Sequence, residues 1–170
     1  GDVDYLIKYF GSDSIHIIDD YILNNNKVSS TLIKSYLSEG NIELANNSLG
    51  YKFSLSGNVI QGDQKGKLIG FPTANLEINE NLQIPKNGVY EVEIDLNGND
   101  YKGIMNIGYK PTVSEEKKLS LEVHIFNFNT DIYNSYLTVY FNSFIRDERK
   151  FNNINELKQQ ITNDIESINK

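Results

Sequence analysis

From Gly62 to Asn75 the chain reads Gly-Asp-Gln-Lys-Gly-Lys-Leu-Ile-Gly-Phe-Pro-Thr-Ala-Asn, a run whose residue types suit the handling of phosphate. Glycines at 62, 66 and 70 let the backbone bend close to a ligand and offer amide N–H groups to anionic oxygens, while Lys65 and Lys67 add positive charge. This is not a Walker A loop. Gly62 and Gly66 stand one residue too close, Leu68 occupies the Ser or Thr position, and Pro72 prevents an immediate helix. A glycine-rich basic loop taken alone is more often a plain β-turn than a phosphate cradle. Thr73 and Asn75 weigh against the plain turn. Two residues apart on extended backbone, they point the same way and present two hard oxygens suited to a magnesium ion that already holds ATP phosphates. The same residue types also satisfy ordinary turns.

The second informative stretch is Leu121-Glu122-Val123-His124-Ile125. Phosphoryl transfer asks mainly for positioning and charge neutralisation, together with a carboxylate within hydrogen-bond reach of the acceptor hydroxyl. Glu122 is such a group. Read only as a strand residue it alternates with core-facing Leu121, Val123 and Ile125, shares its face with His124, and is solvated as most strand carboxylates are.

The elements that must position these groups are mostly strands. Phe53, Leu55, Gly57 and Val59 alternate with polar residues, as do Tyr90, Val92, Ile94 and Leu96 with Val89, Glu91, Glu93 and Asp95. Asn97-Gly98-Asn99-Asp100 predicts a hairpin into Tyr101–Ile107, since Asn-Gly accepts the positive φ angles such turns need. Leu119–Phe128 and Tyr136–Ile145 read as two more strands. Strands joined by turns, without helical patterns between them, predict an antiparallel closed barrel. A final helix follows, with Ile154, Leu157, Ile161, Ile165 and Ile168 on one face and a capping box at Asn153 and Glu156. The fold class is thus mainly β, with a C-terminal helix and a short α/β piece in front.

That front piece, residues 1–49, differs from residues 50–170. Ser29-Ser30 precede a helix over Thr31–Ser38 that stops at Gly40, and a second helix over Ile42–Leu49 ends at Gly50. Ser14–Ile18 reads as one buried strand. One strand and a few helices cannot close a core, so this piece is expected to be the tail of a larger α/β domain.

Composition excludes several classes. The chain has 170 residues, 39% hydrophobic and 23% charged, which suits a globular protein. With no cysteine, disulfides, thiolate nucleophiles and cysteine zinc sites are ruled out, in keeping with a cytoplasmic location. No stretch reads as a membrane span or signal peptide. The net charge of -7 argues against a nucleic-acid partner. Asparagine enrichment is diffuse and receives no functional meaning.

The block Gly62–Asn75, ending in Gly-Phe-Pro-Thr-Ala-Asn, resembles the signature of the bacterial and eukaryotic riboflavin kinase family. Similar blocks continue in family order: Asn87-Gly88-Val89-Tyr90, Met105-Asn106-Ile107-Gly108 with Pro111-Thr112, the Glu122 strand, Asp131-Ile132-Tyr133, and Arg146–Phe151. The resemblance implies a riboflavin kinase-like barrel over residues 50–170. It would transfer the ATP γ-phosphoryl to the ribityl 5′-hydroxyl of riboflavin, giving FMN and ADP. It implies Glu122 as the catalytic base, Thr73 and Asn75 around Mg²⁺ and the ATP phosphates, and Gly62 and Lys67 in a flap over the nucleotide. Ile125, Asn127 and Tyr133 match positions around ATP, and Arg146, Arg149 and Phe151 match the flavin-side flap. By residue type alone, that last run is a solvated charge cluster. Asn134 replaces a family glycine in a tight bend, which should survive because Asn tolerates similar angles. Val28–Lys34 with Leu37–Gly40 resembles the last motif of the adenylyltransferase domain in bifunctional riboflavin kinase/FAD synthetases. The implied partner is therefore an adenylyltransferase domain in the parent chain. The two histidines, His16 and His124, lie outside any HxGH-like context, so this chain is expected to phosphorylate riboflavin without adenylylating FMN. Two further readings compete. One is a non-catalytic flavin- or nucleotide-binding sensor, which would need no base. The other is an oligonucleotide-binding barrel, which would need a positive aromatic groove.

Overall fold

The computed structural model describes residues 2–62, 65–79, 81–111 and 117–168. Gly1, Asp63, Gln64, Thr112 and the side chain of Lys65 lie outside the described residues. In chain order the elements are α1 (Val3–Phe10), β1 (Ile22–Leu23), β2 (Asn26–Lys27), α2 (Ser30–Glu39), α3 (Ile42–Leu49), β3 (Ser54–Ile60), α4 (Lys65–Leu68), β4 (Ala74–Glu77), β5 (Gly88–Leu96), β6 (Asn99–Pro111), β7 (Lys117–Ile125), β8 (Tyr136–Arg146) and α5 (Ile154–Ile168).

Strands β3 to β8 close into an antiparallel barrel in the order β3-β4-β7-β6-β5-β8. Alternation fills its interior: Tyr90, Val92, Ile94, Met105, Ile107, Val123, Leu137, Val139 and Phe141 are all essentially buried. Hairpin β5–β6 turns on Asn97 and Gly98, with φ of 54° and 77°, and pairs Leu96 with Asn99 as the sequence predicts. Two register shifts between β5 and β8 leave Asn142 and Ile145 as extra residues on β8. Such bulges bend a strand and re-aim its side chains, here just where β8 delivers Arg146. The barrel's narrowest seam is β4 with β7, whose register holds only Ala74↔Val123 and Asn75↔Glu122.

The two helices predicted ahead of the barrel are present. Ser29 caps α2 by accepting the Leu32 N–H at 3.2 Å, and Gly40 and Gly50 end α2 and α3 in the left-handed conformation. Leu37, Ile42 and Ala45 join the barrel's own hydrophobic cluster. The strand predicted at Ser14–Ile18 does not form. Ile17 and Ile18 are 65% and 90% exposed, and no described strand pairs with this segment. An apolar run becomes a buried strand only where a neighbouring strand takes up its backbone groups, and among the described residues none pairs with it.

Candidate active site

Residue parity on β7 sends Leu121, Val123 and Ile125 into the barrel and Glu122 and His124 to its outer face. Glu122 pairs in register with Asn75 on one side and Asn106 on the other. It is not solvated as a lone strand carboxylate would be: its side chain keeps 25% exposure. Its oxygens are held from three directions. Oε2 accepts from Thr73 Oγ1 at 3.3 Å, while Oε1 accepts from Ser120 Oγ at 3.1 Å and lies 2.8 Å from Lys110 Nζ. Lys110 Nζ also donates to Asn75 Oδ1 at 3.4 Å. Lys110 shares its face of β6 with Asn106 and Gly108, and the missing side chain at Gly108 leaves room beside it. A Cβ there would collide with the Glu148 carboxylate.

Thr73 is placed by its neighbours. His124 Nδ1 lies 2.8 Å from the Pro72 carbonyl, so this nitrogen carries the proton and donates. Burial pushes the His124 imidazole below its usual range, and the bond to Pro72 opposes that shift only partly. His124 is therefore neutral near pH 7 and acts as a peg for Pro72 and Thr73. Its ring also meets Phe71 edge-on at 5.4 Å. Within the glycine-rich run, residues 65–68 form one helical turn in which the Gly66 carbonyl accepts from Ile69 and Phe71. Gly62 sits against the Asn75 amide so closely that a Cβ would overlap it, which explains glycine at that position.

Two cavities flank the β4–β7 seam. One of about 390 Å³ takes Val123 and Ile125 from the inner face of β7 and adds Lys67, Gly70, Thr73 and Tyr133. The other, about 450 Å³, takes Glu122 and His124 from the outer face and adds Phe151 and the apolar side of α5, including Leu157 and Ile161. Thr73 lines both. The bend carrying Tyr133 forms as expected: Asn134 adopts φ of 63°, its N–H reaches the Val59 carbonyl, and Asp131 caps the Tyr133 N–H at 2.9 Å.

Of the residues predicted from sequence, Lys67, Thr73, Ile125 and Tyr133 gather on the first cavity, and Glu122, Arg146, Arg149 and Phe151 on the second. Asn75 and Gly62 support the seam beside them. Asn127 is exposed in a left-handed turn and does not line either cavity. Arg146 lines the second cavity with its charge already answered. Nε and Nη2 hold the carboxylate of Asp164, which is 3% exposed, at 2.8–3.0 Å. Arg149 bonds Gln160 at 2.8 Å and stands 4.8 Å from the Phe151 ring. Sequence reasoning missed Lys110, Ser120, Asp164 and Gln160. Strand parity marks the first two, and Asp164 is the acidic break in an otherwise apolar helix face.

For magnesium, the donors on hand are Thr73 Oγ1 and Asn75 Oδ1, two neutral hard oxygens. Among the described residues no cluster of three or more His, Cys, Asp or Glu side chains could hold a metal alone. That set fits an ion bound mostly through substrate phosphates and water.

A closed barrel in which a hydroxyl shared by two cavities bonds a carboxylate lining one of them has the form of a two-substrate enzyme site. The chain belongs to the riboflavin kinase family, whose model matches residues 49–170. It is 41% identical over 156 residues to a bifunctional riboflavin kinase/FMN adenylyltransferase of Bacillus subtilis, covering 91% of this chain and 49% of that protein. A protein of the same description from Listeria monocytogenes is 41% identical over 160 residues, covering 94% and 51%. The chain thus spans about half the length of the curated relatives it matches. A solved structure described as a macrolide-efflux protein from Streptococcus pneumoniae superimposes with a TM-score of 0.88 at 32% identity, over 98% of this chain and 54% of that one. Among the described residues no helix is long and apolar enough to cross a membrane.

Proposed function

We propose that this riboflavin kinase domain transfers the γ-phosphoryl group of ATP to the 5′-hydroxyl of riboflavin, yielding FMN and ADP. One observation carries the reading: Thr73 lines both cavities and donates to Glu122, which lines the second, so substrates held on opposite faces of the β4–β7 seam would meet at this hydroxyl–carboxylate pair. ATP takes the cavity of Lys67, Ile125 and Tyr133. Riboflavin takes the cavity whose aromatic and apolar walls, Phe151, Leu157 and Ile161, suit a flat ring, with Arg146 and Arg149 at hand for polar groups. Glu122 receives the hydroxyl proton as the oxygen attacks phosphorus. Thr73 and Asn75 would hold Mg²⁺, which when bound neutralises phosphate charge.

The cytoplasm is the proposed location, in keeping with the absence of cysteine. A surface of net charge -7 supports small-molecule substrates over nucleic acid. The names of the relatives support an FMN adenylyltransferase half in the parent protein, with residues 1–49 as its tail. This chain on its own should give no FAD from FMN and ATP.

The decisive experiment incubates the parent chain and Glu122→Gln with riboflavin, ATP and magnesium and follows FMN by chromatography. The parent should form FMN and the variant about a hundredfold less or lower, the scale of losing a general base. A folded parent that binds riboflavin yet forms no FMN would favour the sensor reading.

A further inference from the structure

We propose that Asp164 is a positioning residue for the flavin: it fixes the guanidinium of Arg146 so that the donors left over meet oxygen acceptors of riboflavin. This rests on the placement of riboflavin in the second cavity proposed above. Asp164 continues the α5 face of Leu157 and Ile161 that lines this cavity, yet it is a carboxylate and only 3% exposed. A buried ion pair is weak support for stability, and exchanging one for well-packed apolar residues often leaves a protein as stable or more so. Packing of α5 alone therefore does not account for an acid at this position.

Orientation does account for it. Nε of Arg146 donates to both oxygens of Asp164 at 3.0 Å, and Nη2 donates to Oδ2 at 2.8 Å. Pairing through two nitrogens sets the plane of the guanidinium as well as its place. Nη1 donates to the Asp147 carbonyl at 3.0 Å. A guanidinium has five N–H groups, and these bonds engage one on each nitrogen. The second N–H of Nη1 and of Nη2 has no protein acceptor among the described residues, and these are the donors Arg146 can offer to the cavity it lines. A second anchor is Gln160, one turn before Asp164 on α5. Its Nε2 donates to Asp164 Oδ1 at 2.7 Å, its Oε1 accepts from Arg149 Nη1 at 2.8 Å, and Arg149 in turn stands 4.8 Å from the Phe151 ring. One polar network thus sets both cations and the aromatic wall. Among the described residues α5 adds nothing to the lining of the first cavity, so a fault in this network should reach riboflavin and spare ATP.

The test measures riboflavin affinity by quenching of flavin fluorescence, together with the kinetics of FMN formation, for the parent chain and Asp164→Asn below the lowest thermal midpoint. Loss of the fixed guanidinium should weaken riboflavin binding about tenfold or more, the scale of one charge-assisted hydrogen bond. KM for riboflavin should rise with it, while KM for ATP stays within about twofold and kcat within about threefold, the pattern of lost substrate binding. Should Asp164→Asn not fold, Gln160→Leu takes its place. That variant keeps the ion pair and releases Arg149, and should weaken riboflavin about fivefold or more. A double-mutant cycle separates positioning from a merely structural role. In an Arg146→Met background the Asp164→Asn change should alter riboflavin affinity less than about twofold, because the group it positions is gone. A folded variant within about threefold of parental riboflavin affinity overturns the proposal, as does an equal rise in both KM values or full additivity in the cycle. A folded parent that forms FMN leaves the placement of riboflavin standing whichever way the variants fall. A folded parent that neither binds riboflavin nor forms FMN overturns that placement, and the role of Asp164 with it.

Discussion

Helix α1 and the pair α2–α3 are all short helices ahead of the barrel, yet they relate to it in opposite ways. Asp2 caps α1, whose large apolar residues stay exposed among the described residues: Tyr5, Tyr9 and Phe10 are 58%, 66% and 65% exposed. In α2–α3, Leu37, Ile42 and Ala45 are at most 2% exposed and sit in the same cluster as Leu55, Tyr90 and Phe141. Asn46 fastens the joint. Its Oδ1 accepts the Phe53 N–H at 2.7 Å and its Nδ2 donates to the Phe141 carbonyl at 2.8 Å, which ties α3 to the approach to β3 and the middle of β8. Capping and amphipathicity are common to both; a complementary surface is not, and most helical stability in proteins comes from such packing. A boundary at 49/50 therefore separates two sequence patterns but cuts through one packed core. Strand β8, which carries Arg146 to the second cavity, is buttressed from outside that boundary.

Substitutions can break or sharpen this contrast. Leu37→Ala should cost the most, about 2–5 kcal/mol in urea unfolding, because it opens a cavity in the shared core. Asn46→Ala should cost about 1–3 kcal/mol by leaving the Phe53 N–H and Phe141 carbonyl without partners. Tyr9→Ser should stay within about 0.5 kcal/mol. If Tyr9→Ser rivalled Leu37→Ala, the distinction between docked and undocked helices would collapse.

Much of this was legible in the residues. Alternation gave the faces of β5 and β7, Asn97-Gly98 gave the hairpin, and Asn153 with Glu156 gave the start of α5, where the Glu156 N–H bonds Asn153 Oδ1 at 2.9 Å. The gathering of Thr73, Glu122 and Phe151 around two cavities was reachable only through family resemblance, because the barrel brings together residues far apart in the chain. Ser14–Ile18 misled because an apolar run does not state whether a partner exists. Asparagine seemed to carry no information. Among the described residues, however, those other than glycine with positive φ are Asn24, Asn25, Asn97, Asn127 and Asn134, so part of the diffuse enrichment is turn chemistry. Lys110 and Asp164 escaped notice because their partners are set by register and helix docking, which one-dimensional spacing does not encode.

The narrow β4–β7 seam has a consequence for hydrogen exchange. Strands β5 and β6 share nine paired positions from Gly88↔Ile107 to Leu96↔Asn99, whereas β4 meets β7 at two. Opening free energies follow such local support, so the amides of Ala74 and Asn75 should exchange with deuterated solvent well before those of Val92 or Ile94. The weakest stitching of the barrel then coincides with its proposed site, and a nucleotide bridging that seam would announce itself as slowed exchange at these two amides.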